Sequence, residues 1–64
     1  MPVIKVEVLE GRSIEQKRRL VEALTRETSE IMKCSRESIY VVIEESKKEN
    51  WGVGGQLCSD KFPD

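Results

Sequence analysis

The chain has 64 residues, which leaves room for one domain and no second core. Its 11 lysines and arginines and 12 aspartates and glutamates give a net charge of −1, with the two signs interleaved. This balance disfavours a nucleic-acid-binding function, which depends on a basic surface. Because the chain has no histidine, zinc sites of the Cys/His kind and all histidine-based mechanisms are excluded.

The small size also limits how the chain is stabilised. A core of this size rarely supplies more than about 3–5 kcal/mol, so small chains need disulfides, a metal, very tight packing or partner subunits. Two cysteines, Cys34 and Cys58, cannot build a dense disulfide framework. No apolar run approaches the ~20 residues of a membrane span, and no signal-peptide pattern is present. We therefore expect a cytoplasmic protein with reduced cysteines, stabilised by association with other copies.

The first half of the chain predicts a strand and a helix. Residues 3–9 alternate, with Ile4, Val6 and Val8 on one side, which is typical of a strand. Ser13 and Gln16 then form an S-x-x-Q capping box, which predicts the start of a helix that runs from residue 14 to about residue 33. One face of this helix is mostly apolar; its residues are Lys17, Leu20, Val21, Leu24, Thr28, Ile31 and Met32.

The second half predicts another strand and a glycine-rich turn. Residues 39–43 form the strand, between a polar connector at 35–38 and a polar turn region at 44–50. Three glycines within residues 52–55 predict a tight turn or short hairpin, because glycine adopts positive φ readily. Residues 58–64 show little periodicity and are predicted to form an extended arm.

Strand, helix and strand in this order form a β-α-β unit. Its two strands are expected to be parallel, with a right-handed crossover through the helix. We predict an α+β fold in a single domain over residues 1–64, with a short C-terminal hairpin. Such a sheet leaves one face and two edges exposed. Because both faces carry apolar residues, we expect other copies of the chain to complete the sheet.

The start of the chain carries unusual chemistry. Pro2 is a small residue that permits removal of Met1, which would leave a secondary amine at the beginning of a strand. An α-amino group titrates near ~8, and burial or a nearby cation lowers its pKa further. Such an amine can act as a general base at neutral pH. The alternative is that Pro2 merely begins an edge strand.

Three motifs lie at fixed distances from the initiator: Pro2, the LEGRS segment at residues 9–13 and the WGVGG segment at residues 51–55. EQK at residues 15–17 begins the helix, and VIEE at residues 42–45 ends the second strand. Together, over residues 2–58, they resemble the 4-oxalocrotonate tautomerase family. The resemblance implies a β-α-β subunit that dimerises into a four-stranded sheet and usually assembles as a homohexameric trimer of dimers.

The resemblance also implies a function and a site. It points to a cofactor-free, metal-free isomerase in aromatic degradation, acting on small carboxylated enols such as 2-hydroxymuconate or arylpyruvate enols. The family's amino-terminal base matches Pro2, and its carboxylate-binding arginine matches Arg12. Its aromatic wall, which excludes water, matches Trp51. The alternatives are a surface cation for Arg12 and a packing aromatic for Trp51.

One position departs from the family pattern. The second-strand arginine that polarises the substrate carbonyl is replaced by Tyr40, whose hydroxyl can donate a hydrogen bond but brings no charge. Packing or a subunit contact is the alternative for Tyr40. Arg36, four residues upstream, is a weaker candidate that would act from a neighbouring subunit.

Two other functions stay open. One is a non-catalytic or weakly active assembly subunit that pairs with an active paralogue. Retention of Met1 would favour this function, because the Pro2 nitrogen would then be an amide. The other is a hydratase or dehalogenase of small unsaturated acids, although no extra carboxylate is evident to activate water.

Overall fold

The computed structural model describes residues 2–63, so whether Met1 is retained lies outside the described residues. Its elements, in chain order, are β1 (Val3–Leu9), α1 (Ile14–Met32), a first 3₁₀ turn (Arg36–Ser38), β2 (Tyr40–Ser46), a second 3₁₀ turn (Lys48–Asn50), β3 (Gly52–Val53), β4 (Gln56–Leu57) and α2 (Cys58–Lys61). The predicted α+β fold, with a parallel strand pair, a helix between the strands and a short C-terminal hairpin, is confirmed.

The two long strands pair in parallel along their whole length. Val3 lies opposite Tyr40 at one end, and Leu9 lies opposite Ser46 at the other. The second strand therefore starts one residue later than predicted and continues through residues 44–46, where a polar turn was wrongly predicted. The backbone pairing with β1 outweighs the polar side chains of this segment, because main-chain hydrogen bonds do not depend on side-chain polarity.

The sheet has one covered face and one open face, as the alternation predicts. The half-buried side chains beneath α1 are Ile4, Val6, Val8, Val41 and Ile43. The exposed side chains of the open face are Val3, Lys5, Glu7, Tyr40, Val42 and Glu44. The open face thus combines apolar and charged groups, and no other element of the described chain covers it.

Helix α1 begins at its predicted capping box. The Gln16 backbone N–H donates to the Ser13 Oγ at 3.1 Å, and the Ser13 N–H donates to the Gln16 Oε1 at 2.9 Å. The helix ends at Met32, and Lys33 adopts the left-handed conformation with a φ of 56°. Both predicted limits of the helix are therefore confirmed within one residue.

Only part of the predicted helix face packs on the sheet. Val21 and Leu24 are half-buried, but Ile31 and Met32 are 74% and 58% exposed. The predicted apolar face therefore extends beyond the area that the sheet covers, because two strands leave the last turn of the helix uncovered.

The C-terminal segment forms a hairpin and a short helix. Strands β3 and β4 are antiparallel, and Gly54 and Gly55 between them have φ values of 61° and 84°. The predicted extended arm is wrong over residues 58–61, which form α2. The Cys58 side chain is 5% exposed and its N–H donates to the Trp51 carbonyl at 2.7 Å. A one-turn helix is too short to give a periodic sequence signal.

The subunit has too little core to be a compact monomer. Its accessible surface is 5056 Å², whereas a folded monomer of 7.4 kDa exposes about 4,200 Å². Its radius of gyration is 15.0 Å, against about 11 Å for a compact domain of this length. Among residues 2–63, only Ile39 and Cys58 are buried. No helix within that range is long and apolar enough to cross a membrane.

We expect the purified protein to form an oligomer in solution, because its exposed apolar side chains need partner surfaces. Light scattering should give a mass several times the 7.4 kDa of one chain. The melting temperature should rise with protein concentration, since association stabilises the folded state by mass action. A stably folded monomer with a concentration-independent melting temperature would contradict this expectation.

The capping box should contribute measurably to stability. Ser13→Ala removes the side chain that accepts the Gln16 N–H, and we expect a loss of about 1 kcal/mol. Gln16→Ala removes only the reciprocal bond and should cost less, whereas Gln16→Glu keeps an acceptor and serves as the control. Urea denaturation at one fixed protein concentration tests this order. Equal midpoints for Ser13→Ala and Gln16→Glu would be inconsistent with it.

Candidate functional site

The residues singled out from the sequence lie at two ends of the sheet. Because β1 and β2 are parallel, both strands begin at one end, called here the amino end, and both finish at the carboxyl end. Pro2 and Tyr40 lie at the amino end. Arg12 follows β1 at the carboxyl end, so the two proposed catalytic groups of one subunit are not neighbours.

At the amino end, the sheet ladder holds Pro2 in place. Its carbonyl accepts a hydrogen bond from the Tyr40 N–H at 3.1 Å, and its side chain is half-buried. Tyr40 is the first residue of β2 and lies directly opposite Val3. The tyrosine side chain is 54% exposed, on the open face of the sheet. The structure therefore places Tyr40 beside Pro2, and a hydrogen bond between their backbones joins them.

At the carboxyl end, Arg12 lies in the turn between β1 and α1. Gly11 has a φ of 124°, a backbone conformation that residues with a Cβ atom rarely adopt, and Ser13 caps α1. The Arg12 Nη1 donates to the Leu9 carbonyl at 3.2 Å. Among the described residues, no carboxylate forms an ion pair with Arg12. Its positive charge is therefore held in place and left without an anionic partner.

A small cavity of about 40 Å³ lies beside this turn, between α1 and the sheet. Its lining side chains are Val8, Arg12, Gln16, Lys17, Leu20 and Ile43. Lys17 does not compete for an anion there, because its Nζ pairs with the Glu45 Oε1 at 2.7 Å. The side chains of both residues are about 30% exposed, and their ion pair links the first turn of α1 to the end of β2.

The two adjacent glutamates of β2 have separate roles. Glu45 points to the helix side, whereas Glu44 pairs with Lys5 on the open face at 2.9 Å. The two carboxylates therefore lie on opposite faces of the sheet. The hydrogen bond to Glu44, together with its charge, raises the pKa of Lys5. Sequence analysis did not find either ion pair, because the partners are distant along the chain and only the register brings them together.

Trp51 belongs to the C-terminal segment. It follows the second 3₁₀ turn, its side chain is half-buried, and its carbonyl accepts the Cys58 N–H at 2.7 Å. Residues of this segment, Lys48 and Ser59, line a surface groove together with Glu10. Because Glu10 directly follows β1, the segment that carries Trp51 lies at the same end of the sheet as Arg12.

The guanidinium of Arg36 is already paired within its own chain. Its Nη2 lies 2.6 Å from the Glu22 Oε2, and the other oxygen of Glu22 lies 2.8 Å from the Arg26 Nη1. All three side chains are about half-exposed. A role for Arg36 in binding a ligand would require this ion pair to break.

The two ends of the sheet are far apart within one subunit. From Pro2 to Leu9 the chain advances seven residues at ~3.3 Å each, or about 23 Å in total. One subunit therefore joins Pro2 with Tyr40 at one end, and Arg12 with the Trp51 segment at the other.

Within residues 2–63, no group of three or more histidine, cysteine, aspartate or glutamate side chains could hold a metal ion.

Comparisons with known proteins agree with this architecture. A family model described as "Tautomerase enzyme" matches residues 2–61. The 2-hydroxymuconate tautomerase of Bacillus subtilis is 47% identical over 60 residues, which cover 94% of this chain and 97% of that protein.

Solved structures give the same result. The structure of YwhB, a homologue of 4-oxalocrotonate tautomerase, is 46% identical, covers 92% of this chain and 97% of its own, and has a TM-score of 0.89. A chain of a heterohexamer 4-oxalocrotonate tautomerase from Chloroflexus aurantiacus is 30% identical, with coverages of 94% and 97% and a TM-score of 0.88. The matches extend over almost the whole chain and its full set of long elements, and the chain therefore belongs to the 4-oxalocrotonate tautomerase family of isomerases.

Proposed function

We propose that this chain is a cofactor-free tautomerase of small carboxylated enols, such as 2-hydroxymuconate or arylpyruvate enols. Pro2, freed by removal of Met1, is the general base, Arg12 anchors the substrate carboxylate, and Trp51 forms a hydrophobic wall. The observation that carries the proposal is the guanidinium of Arg12, which lies in the turn before α1 and, among residues 2–63, pairs with no carboxylate and bonds a neutral carbonyl.

Arg12 suits a carboxylate for two physical reasons. Its planar guanidinium can donate two parallel hydrogen bonds to one carboxylate, and charge-assisted bonds of this kind are about twice as strong as neutral ones. Its turn is also held before a ligand arrives, by the hydrogen bond from Arg12 Nη1 to the Leu9 carbonyl and by the capping box. Little conformational entropy is therefore lost when a substrate binds.

Pro2 can move the proton if its nitrogen is a free amine. The lone pair of the amine accepts the enol proton, the electrons of the conjugated system shift, and the resulting ammonium returns a proton to a carbon. The reaction is an isomerisation, so no oxidant or second substrate is needed. A nearby Arg12 charge and a water-excluding Trp51 both disfavour the protonated amine, so they lower its pKa toward neutrality.

This function requires more than one subunit. About 23 Å separates Pro2 from the end of β1 in a single chain, which is much longer than a small enol acid. We infer that Pro2 of one subunit meets Arg12 of another, in a homo-oligomer that we propose to be a trimer of dimers. The heterohexamer assembly of the relative from Chloroflexus aurantiacus supports a six-subunit arrangement.

The same relative supports a second candidate function. A heterohexamer contains unlike chains, so this chain can instead be an assembly subunit whose active site needs a paralogue. Tyr40, which supplies no charge beside Pro2, favours this candidate. The two functions differ in one measurement, because only the first predicts turnover by the purified chain alone.

Blocking the Pro2 amine should abolish turnover. A chain that keeps one residue before Pro2 has an amide nitrogen there, and we expect its kcat/KM to fall about 10²- to 10⁴-fold. Pro2→Ala should fall less, because its primary amine still titrates near ~8. Ultraviolet assays of enol-to-keto conversion, with intact mass confirming each amino terminus, test this. Equal activity of blocked and free chains would exclude Pro2 as the base.

Arg12→Ala should weaken carboxylate binding and lower kcat/KM by roughly 10- to 100-fold, the value of a charged hydrogen-bonded contact. Arg19→Ala, an exposed helix position, is the matched control and should behave like the unmodified chain.

Co-assembly of two impaired variants tests whether each site is shared between subunits. If it is, random mixing of chains with a blocked Pro2 and Arg12→Ala chains leaves about one site in four with both a free Pro2 and an Arg12. The mixture should then have an activity above that of either parent, rising to about one quarter of that of the unmodified chain. Failure of mixed assemblies to regain activity would contradict a shared site.

A further inference from the structure

The turn that carries Arg12 is attached to the end of β2 at both of its sides. On the β1 side, the Glu10 N–H donates to the Ser46 carbonyl at 2.9 Å. On the α1 side, the Lys17 Nζ lies 2.7 Å from the Glu45 Oε1. Glu45 and Ser46 are adjacent in β2, so one short piece of strand holds both ends of the turn. Arg12 lies between the two attachments.

The Lys17–Glu45 pair is the least exposed of the ion pairs formed between residues 2–63. Its side chains are 28% and 32% exposed, whereas every side chain of the other pairs is at least 49% exposed. Exposed pairs contribute little, because water and salt screen them and two mobile side chains have to be ordered. Partial burial reduces both losses, so this pair is suited to hold α1 in position on β2.

Short contacts connect Lys17 to Arg12. The Lys17 N–H donates to the Ser13 carbonyl at 3.1 Å, and Ser13, the N-cap of α1, directly follows Arg12. The side chains of Lys17 and Arg12 also line the same cavity of about 40 Å³. Because closely packed groups transmit displacements, a shift of the first turn of α1 moves the guanidinium of Arg12.

The two cations of this cavity differ in what an anion would cost them. Direct binding of a substrate carboxylate by Lys17 would break its ion pair and leave Glu45 partly buried without a cation, which is unfavourable. Arg12 pairs with no carboxylate of residues 2–63, so it binds an anion without this cost. Arg12 is therefore suited to the ligand, and Lys17 to the attachment of the turn.

We propose that Lys17 and Glu45 are positioning residues for the substrate carboxylate, because their ion pair holds the turn that carries Arg12 against the end of β2. This role rests on the proposed function, in which Arg12 binds that carboxylate. Neither residue touches the reacting atoms. The carboxylate is bound alike in the ground state and in the transition state, so the ion pair acts on KM and leaves kcat almost unchanged.

The test compares three variants of the Met1-processed chain, with 2-hydroxymuconate as the substrate. Lys17→Met keeps the aliphatic stem and removes the cation, whereas Glu45→Ala removes the carboxylate and leaves the cation free. We expect both to raise KM about three- to tenfold, because Arg12 is misplaced, and to leave kcat within about twofold. Glu15→Ala is the matched control, since Glu15 forms an exposed ion pair with Arg18 within α1, and it should change neither constant.

The two variants separate positioning from direct binding. If Lys17 bound the substrate itself, Lys17→Met would raise KM and Glu45→Ala would lower it, because the freed ammonium would attract the anion. That result would overturn the inference, as would equal KM values for Glu45→Ala and Glu15→Ala. A merely structural role would lower the melting temperature and kcat and leave KM unchanged, which would also overturn it.

Two conservative variants keep the test independent of folding defects. Lys17→Arg retains a cation for Glu45 and should have a KM within about twofold of that of the unmodified chain. Glu45→Gln retains a neutral acceptor and should give an intermediate KM, because a charge-assisted bond is about twice as strong as a neutral one. If Glu45→Ala does not assemble, a KM for Glu45→Gln equal to that of the unmodified chain would overturn the inference.

Calorimetry with muconate measures the site without turnover, because muconate lacks the hydroxyl that the reaction needs. Lys17→Met, Glu45→Ala and the double variant should all weaken binding by the same factor of about three to ten, since each removes one ion pair. Additive losses in the double variant, or no muconate binding by the unmodified chain, would overturn the inference. If the expected order of binding appears but no enol is converted, the proposed catalysis fails and the positioning role stands.

Discussion

The parallel pairing of β1 and β2 is the constraint on which the rest of the structure depends. Seven residues of each strand pair in register, so both strands start at one end and finish at the other. The crossover helix then has to return along one face, and the opposite face stays open. The same ladder places Pro2 at one end and Leu9, just before the Arg12 turn, at the other end, about 23 Å away at ~3.3 Å per residue. Pairing of the strands thus determines both the open surface and the separation of the candidate groups.

The separation of the candidate groups Pro2 and Arg12 and the small core have a common physical origin. A chain of 64 residues cannot cover both faces of its sheet, and it exposes more surface than a compact monomer of its mass. Surfaces that need covering and candidate catalytic groups that lie far apart therefore occur in the same subunit. In the proposed enzyme, subunit association satisfies both needs, because it buries apolar side chains and brings Pro2 to Arg12.

Much of the fold was predictable because its signals are local. The alternation of β1 and the capping box of α1 act over a few residues, and both appear where predicted. The polar segment at residues 44–46 was misread, because its pairing with β1 is a long-range effect that local composition does not record. The α2 turn was missed for a similar reason, since the burial of Cys58 depends on the folded C-terminal segment.

The sequence by itself determined the element order, the capped helix, the family and the identities of the candidate residues. It did so because periodicity and caps are properties of neighbouring residues, and motif spacing is counted directly along the chain. Only the tertiary structure decided which charges are free: Arg36 is paired with Glu22, and Lys5 with Glu44, whereas Arg12 has no carboxylate partner among the described residues. An ion pair depends on distances through space, and strand register and helix packing set those distances.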